Sequence, residues 1–181
     1  TMNRMFSDAE SFNGGVSKWN VSSVTDMSRL FYNAKSFNRG ISKWDVSNAK
    51  FMDFMFGGAA LFKGDISSWD VRNVLTMHAM FMDTKLFNSD ISKWDVSSVT
   101  TMNNMFLRAH SFNNEIFRWD VSSVISMEQM FSGAKSFNTD ISKWDVSKGT
   151  NRGGRGKEAT AGKSDIAKWE GARGSNRASM C

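Results

Sequence analysis

Residues 76–100 read T-M-H-A-M-F-M-D-T-K-L-F-N-S-D-I-S-K-W-D-V-S-S-V-T, one of six tandem copies of a 25-residue unit with no insertion or deletion. The copies begin at Thr1, Asp26, Phe51, Thr76, Thr101 and Ser126. Met occupies position 2 in every copy, Phe positions 6 and 12, Trp position 19 and Val position 21. A strict period of this length marks stacked units, each burying an apolar face against its neighbours.

Within the quoted copy, Met77, Met80, Phe81 and Thr84 are spaced i, i+3, i+4, i+7, the pattern of one face of a short helix, with Thr76 as its N-cap. A polar bend follows and returns Phe87 inward. Ile91, Trp94, Val96 and Val99 then give a β-branched and aromatic run that predicts a short extended segment. The expected fold is therefore an α/β repeat with one short helix and one short strand per 25-residue coil, six coils filling residues 1–150. One copy cannot stand alone. Ordering a residue costs roughly 1.5 kcal/mol, and a copy offers only a handful of large apolar side chains in return.

Two polar columns run through the copies. Position 13 is Asn in five of them and Lys63 in the third, and an Asn amide there suits backbone groups of its own bend or of the next coil. Position 20 is Asn20, then Asp45, Asp70, Asp95, Asp120 and Asp145. Each carboxylate can accept from the N–H two residues on (a Ser in all but the third copy, where it is Arg72), as an Asx-turn, or the column can act as a ladder for divalent cations. Position 15 adds Asp65, Asp90, Glu115 and Asp140. Asn20-Val21-Ser22 is the one N-glycosylation sequon, silent if its column turns inward.

The net charge of +5 lies outside the repeats. Residues 1–147 carry 15 basic and 15 acidic side chains, whereas residues 148–181 carry 8 and 3. A neutral repeat surface argues against nucleic-acid partners. No apolar stretch is long enough to span a membrane. Cys181 is the single cysteine, so no intrachain disulfide forms. His78 and His110 sit at different repeat positions with no nucleophile at a recognisable spacing, and no phosphate loop or zinc spacing occurs. No catalytic residue, cofactor site or metal site is expected, and the chain is not read as an enzyme.

The phrase M-F-x-x-A-x-S-F-N-x-D-I-S-x-W-D-V-S-x-V-T-x-M, approached most closely by residues 80–102 and 130–146, resembles the bacterial-surface-protein repeat DUF285, grouped with BspA-like leucine-rich-repeat surface proteins. The resemblance implies a leucine-rich-repeat-like solenoid on a cell-surface or secreted protein, with a role in adhesion or protein interaction. It brings no catalytic residue set. Met and Phe stand where leucine is usual, which leaves the curvature of the stack open.

Register continues past the sixth copy. Asp165, Ile166, Lys168 and Trp169 fall 25 residues after Asp140, Ile141, Lys143 and Trp144, while the helix-face positions have become Arg152, Arg155 and Gly156. Residues 151–175 thus read as a degenerate seventh repeat, either a polar terminal cap or a decayed and partly disordered copy, and 176–181 as a tail.

The outward positions vary between copies whereas the inward ones do not, which points to a non-enzymatic module that binds a protein or a cell-surface ligand. Tyr32, Phe54 and Phe117 are extra aromatic residues outside the fixed columns, and they serve either as contact anchors or as copy-specific packing. The alternative is a packing element of a surface layer, filament or larger assembly. Met2, Met5, Phe6 and Phe12, facing water at the first coil, would then allow self-assembly through the ends of the stack.

Overall fold

A computed structural model describes residues 1–149. The expectations for residues 151–175 and 176–181 lie outside the described residues. Among the described residues there is no α-helix and no β-strand, so the α/β, leucine-rich-repeat-like solenoid with a helix and a strand in each coil is not what forms. Regular elements reduce to one turn of 3-10 helix at Ile116–Arg118 and four isolated parallel bridges joining Asp26, Phe51, Thr76, Thr101 and Ser126 in sequence. The chain is instead a stack of coils built from consecutive turns.

The helix fails at positions 4 and 8. Arg4, Arg29, Phe54, Ala79, Asn104 and Gln129 at position 4, and Asp8, Asn33, Gly58, Asp83, Arg108 and Gly133 at position 8, all have φ between +52° and +74°. A left-handed residue every four positions is incompatible with a right-handed helix. Each sits third in a four-residue turn, where type II geometry requires positive φ.

Hydrogen bonds divide by parity. In coil 4, the N–H groups of Met80, Met82 and Thr84 donate back three residues, to the carbonyls of Met77, Ala79 and Phe81, closing successive turns. The N–H groups of Met77, Ala79, Phe81 and Asp83 donate instead to Thr101, Asn103, Met105 and Leu107 of coil 5, at 2.8–3.0 Å. The same pattern joins every pair of neighbouring coils from 1 to 6. Positions 2, 5, 6 and 9 still face one side, which is why the apolar spacing resembles a helix. What differs is that half of the backbone bonds leave the coil.

The expected strand is also replaced by turns. Trp94 N–H donates to the Ile91 carbonyl and Val99 N–H to that of Val96, so Ser92-Lys93 and Ser97-Ser98 occupy turn centres. Along this side the coils bond in the opposite sense, later N–H to earlier carbonyl, as in Leu75 to Lys50 at 2.9 Å and Thr100 to Leu75 at 2.9 Å.

The core is a set of aromatic columns. Phe6, Phe31, Phe56, Phe81, Phe106 and Phe131 follow one another with ring centroids 5.6–5.7 Å apart. A parallel column runs from Phe12 to Phe137 at 5.9–6.2 Å. Within each coil the two rings stack at 3.7–4.1 Å. The steps between coils exceed the ~4.8 Å of adjacent strands, consistent with offset stacking of tilted rings. Each buried Trp from Trp44 to Trp144 donates its indole N–H to the position-16 carbonyl of the preceding coil at 3.0–3.2 Å. The indole thereby fills the core without leaving its polar atom unpaired.

Candidate interaction surface

The structure brings two of the three predicted contact residues together. Tyr32 and Phe54 lie on neighbouring coils, half-buried, with rings edge to face at 5.6 Å. Phe54 in turn meets the edge of His78 at 4.7 Å, and the Arg29 guanidinium lies 5.0 Å from the Phe54 centroid. Gly57 makes room for the cluster, since a Cβ there would stand 3.2 Å from Tyr32 Cδ2 and 3.4 Å from Phe54 Cδ1. Tyr32 and Phe54 are thus packed against each other on the outer side of the turns. Arg29 and His78 were missed as members, although a 25-residue offset places Arg29 in the column of Phe54 and His78 beside it.

Phe117 stands elsewhere, in coil 5 and on the segment after the bend. It is 40% exposed and shares no ring contact with the other two. In coils 3, 4 and 6 the acid at position 15 accepts from the Ser N–H at position 17: Asp65 from Ser67, Asp90 from Ser92 and Asp140 from Ser142, each at 2.9 Å. Coil 5 has Glu115 and Phe117 at these positions, and the segment tightens into the 3-10 turn instead. Buried Asn114 anchors it, accepting from Ile91 N–H at 3.0 Å while its carbonyl accepts from the Thr139 hydroxyl at 2.6 Å. A shallow groove results between coils 5 and 6, lined by Asn113, Glu115, Phe117, Asn138, Thr139, Asp140 and Lys143. The Arg118 guanidinium lies 5.4 Å from the Phe117 centroid. A second groove on the same side, between coils 3 and 4, is lined by Lys63, Asp65, Leu86, Asn88, Ser89 and Asp90.

The two polar columns serve the backbone. Asn13, Asn38, Asn88 and Asn113 each accept, through Oδ1, the N–H of the equivalent residue in the next coil at 2.9–3.1 Å. Lys63 lacks an amide and interrupts the series. In the position-20 column, Asn20, Asp45, Asp70, Asp95, Asp120 and Asp145 make the Asx-turn at 3.0–3.2 Å. Hydrogen bonds from Ser47, Ser97 and Ser122 hold the Asp45, Asp95 and Asp120 carboxyls below the usual carboxylate range. The Ser147 N–H does the same for Asp145. The column faces outward, and among the described residues no three His, Cys, Asp or Glu side chains converge in a group that would hold a metal ion. Asn20 is exposed, with its amide oxygen engaged by the Ser22 N–H and hydroxyl at 3.1 and 2.7 Å.

The family described as "Mycoplasma protein of unknown function, DUF285" matches residues 1–96 and 84–181, together the whole chain. The chain belongs to the DUF285 family. No curated protein and no solved structure matches it. Among the described residues no helix is long and apolar enough to cross a membrane.

Proposed function

We propose that the chain is a non-enzymatic interaction module that binds a protein or another ligand at a cell surface. The observation that carries this is the division of labour between columns. The buried Met, Phe, Trp and Val columns repeat almost without change, and the indole N–H of each buried Trp is spent on a backbone carbonyl of the preceding coil. Outward columns vary from coil to coil: position 7 runs Ser7, Tyr32, Gly57, Met82, Leu107, Ser132, five residue types in six coils. A stack with fixed spacing and variable side chains presents an extended recognition surface. The His78 ring packs against Phe54, and the His110 backbone carbonyl accepts from Ser136 N–H of the next coil. The cell-surface placement rests on the resemblance to BspA-like surface proteins. Fluorescently labelled chain should bind intact cells or matrix proteins saturably, in competition with unlabelled chain. Absence of saturable binding across a broad panel of both would refute the proposal.

A second reading, a packing element of a surface layer or filament, is favoured by one feature. Met5 and Trp19 are 50% and 39% exposed, whereas the same columns are buried in every later coil. That face accepts a further coil, from the same chain or from another copy. Light scattering that shows a monodisperse species across a wide concentration range would count against it.

A further inference from the structure

We infer that the groove beside Phe117 seats a neutral sugar ring. This rests on the reading of the chain as an interaction module and names the ligand class for one of its sites.

Packing within the core does not explain Phe117. Its column is Ser in the other five copies, at Ser17, Ser42, Ser67, Ser92 and Ser142. Its ring is exposed and stands outside the core cluster, unlike half-buried Phe6 and Phe12, which pack against that cluster. An aromatic ring held at the surface on a rigid 3-10 turn, with the buried Asn114 beneath, is a preformed platform.

The groups around the platform decide what it fits. Glu115 and Asp140 are balanced by Lys143 and Arg118, so the groove has no net attraction for a phosphate, an acidic peptide or a polycation. The rest of the lining is amide and hydroxyl. Asn113 spends its oxygen on Asn138 N–H at 2.9 Å, which leaves its NH2 group as a donor. Glu115 and Lys143 have no hydrogen bond or ion pair with any other described residue and so offer an acceptor and a donor. Phe117 is the one large apolar side chain in the lining. An apolar peptide anchor needs a pocket it can fill and dry, which an open groove of this kind lacks. A pyranose matches it better: its C–H face covers the ring, and its hydroxyls both donate and accept around the rim. The second groove on the same side, lined by Asn88, Ser89, Asp65 and Asp90, repeats the polar chemistry two coils away without an aromatic platform. An oligosaccharide running along the stack would therefore gain contacts that a single sugar cannot reach.

The test is ligand-observed NMR and titration calorimetry on the full chain. The probes are the methyl glycosides of glucose, galactose, mannose and N-acetylglucosamine, their β1–4 oligomers, and inorganic phosphate. At least one neutral glycoside should bind, its oligomer more tightly. Phe117→Ala should weaken that binding about tenfold, and Phe117→Trp should preserve or strengthen it. Phe54→Ala should leave it unchanged. An unaltered thermal melt for Phe117→Ala would show that the stack is intact. The inference is overturned if no neutral sugar binds, if binding ignores Phe117→Ala, or if phosphate binds at these residues instead. Saturable cell binding that persists without sugar binding sinks this inference alone, whereas loss of both sinks the interaction-module reading as well.

Discussion

Replacing Phe81 by Ala tests the aromatic stack where it is most enclosed. The ring is fully buried and stacks on Phe87 at 4.0 Å, Phe106 at 5.6 Å and Phe56 at 5.7 Å, with Trp94 tilted at 6.3 Å. Removing a buried Phe costs about 3–5 kcal/mol, the sum of lost transfer energy and the cavity left behind. Each aromatic pair adds about 0.5–1.5 kcal/mol beyond burial, although pairs sharing one ring do not add fully, so the upper half of that range is expected. Phe6 holds the same column position in coil 1 but is half-buried, with coil-to-coil stacking only onto Phe31 at 5.6 Å. Phe6→Ala should therefore cost roughly 1–2 kcal/mol. Equilibrium urea unfolding followed by tryptophan fluorescence reads both, as midpoint shifts at an unchanged slope. A Phe81→Ala loss below about 1.5 kcal/mol, or a Phe6→Ala loss as large as that of Phe81→Ala, would refute the continuous stack as the main source of stability.

Three further outcomes follow from the backbone. Gln129 is exposed at φ +52°, so Gln129→Gly relieves left-handed strain of about 1–2 kcal/mol against a glycine entropy cost of about 0.5–1; a net gain of about 0.5–1 kcal/mol is expected in thermal melts. Lys85→Gly, exposed and at negative φ, should lose stability, and equal signs for the two changes would contradict the turn geometry. The depressed carboxyls of Asp45, Asp95, Asp120 and Asp145 bind fewer protons folded than unfolded near their titration range. Their contribution is complete above the unfolded value of about 3.9 and is lost as pH falls through the folded values. Asn20 makes the same turn without a charge, so the fourfold Asp→Asn variant should keep the turns and flatten the acid limb of a melting-temperature profile. An acid limb identical to that of the parent would rule these carboxylates out. Far-UV circular dichroism of the chain should lack a strong helical signal; a helix in each of six coils would produce one.

Much of this architecture was legible because stacking demands repetition. Met77, Phe81, Phe87, Trp94 and Val96 were assigned inward from spacing alone, and all are buried. Asn13 suited backbone groups by its amide chemistry, the Asx-turn was one of two readings open for Asp45, and both side chains accept from backbone N–H groups. The local conformation was not legible. Two successive four-residue turns place apolar residues at i, i+3, i+4 and i+7 as a helix does, so periodicity does not separate them. The discriminating sign was weak: Asp8, Asn33, Gly58, Asp83 and Gly133 are residue types that tolerate positive φ, but Arg108 in the same column and Phe54 and Ala79 at position 4 conceal it. The strand was misread because β-branched content at Ile91, Val96 and Val99 reflects burial rather than extension. As for the surface, composition found Phe54 and Phe117 equally, and only the fold shows one packed into a cluster and the other held out on a turn.

The parity of the hydrogen bonds also constrains how such a chain can change. N–H groups at repeat positions 2, 4, 6 and 8 reach the next coil, and those at positions 5, 7 and 9 close turns. One residue added ahead of Phe81 would exchange the two sets, carry the polar side chains of the outer columns inward and swing the phenyl ring out. Substitution at an outward position costs little by comparison, which fits six copies that differ freely there yet never in length. Growth or shortening of the array is therefore a matter of whole coils of 25 residues.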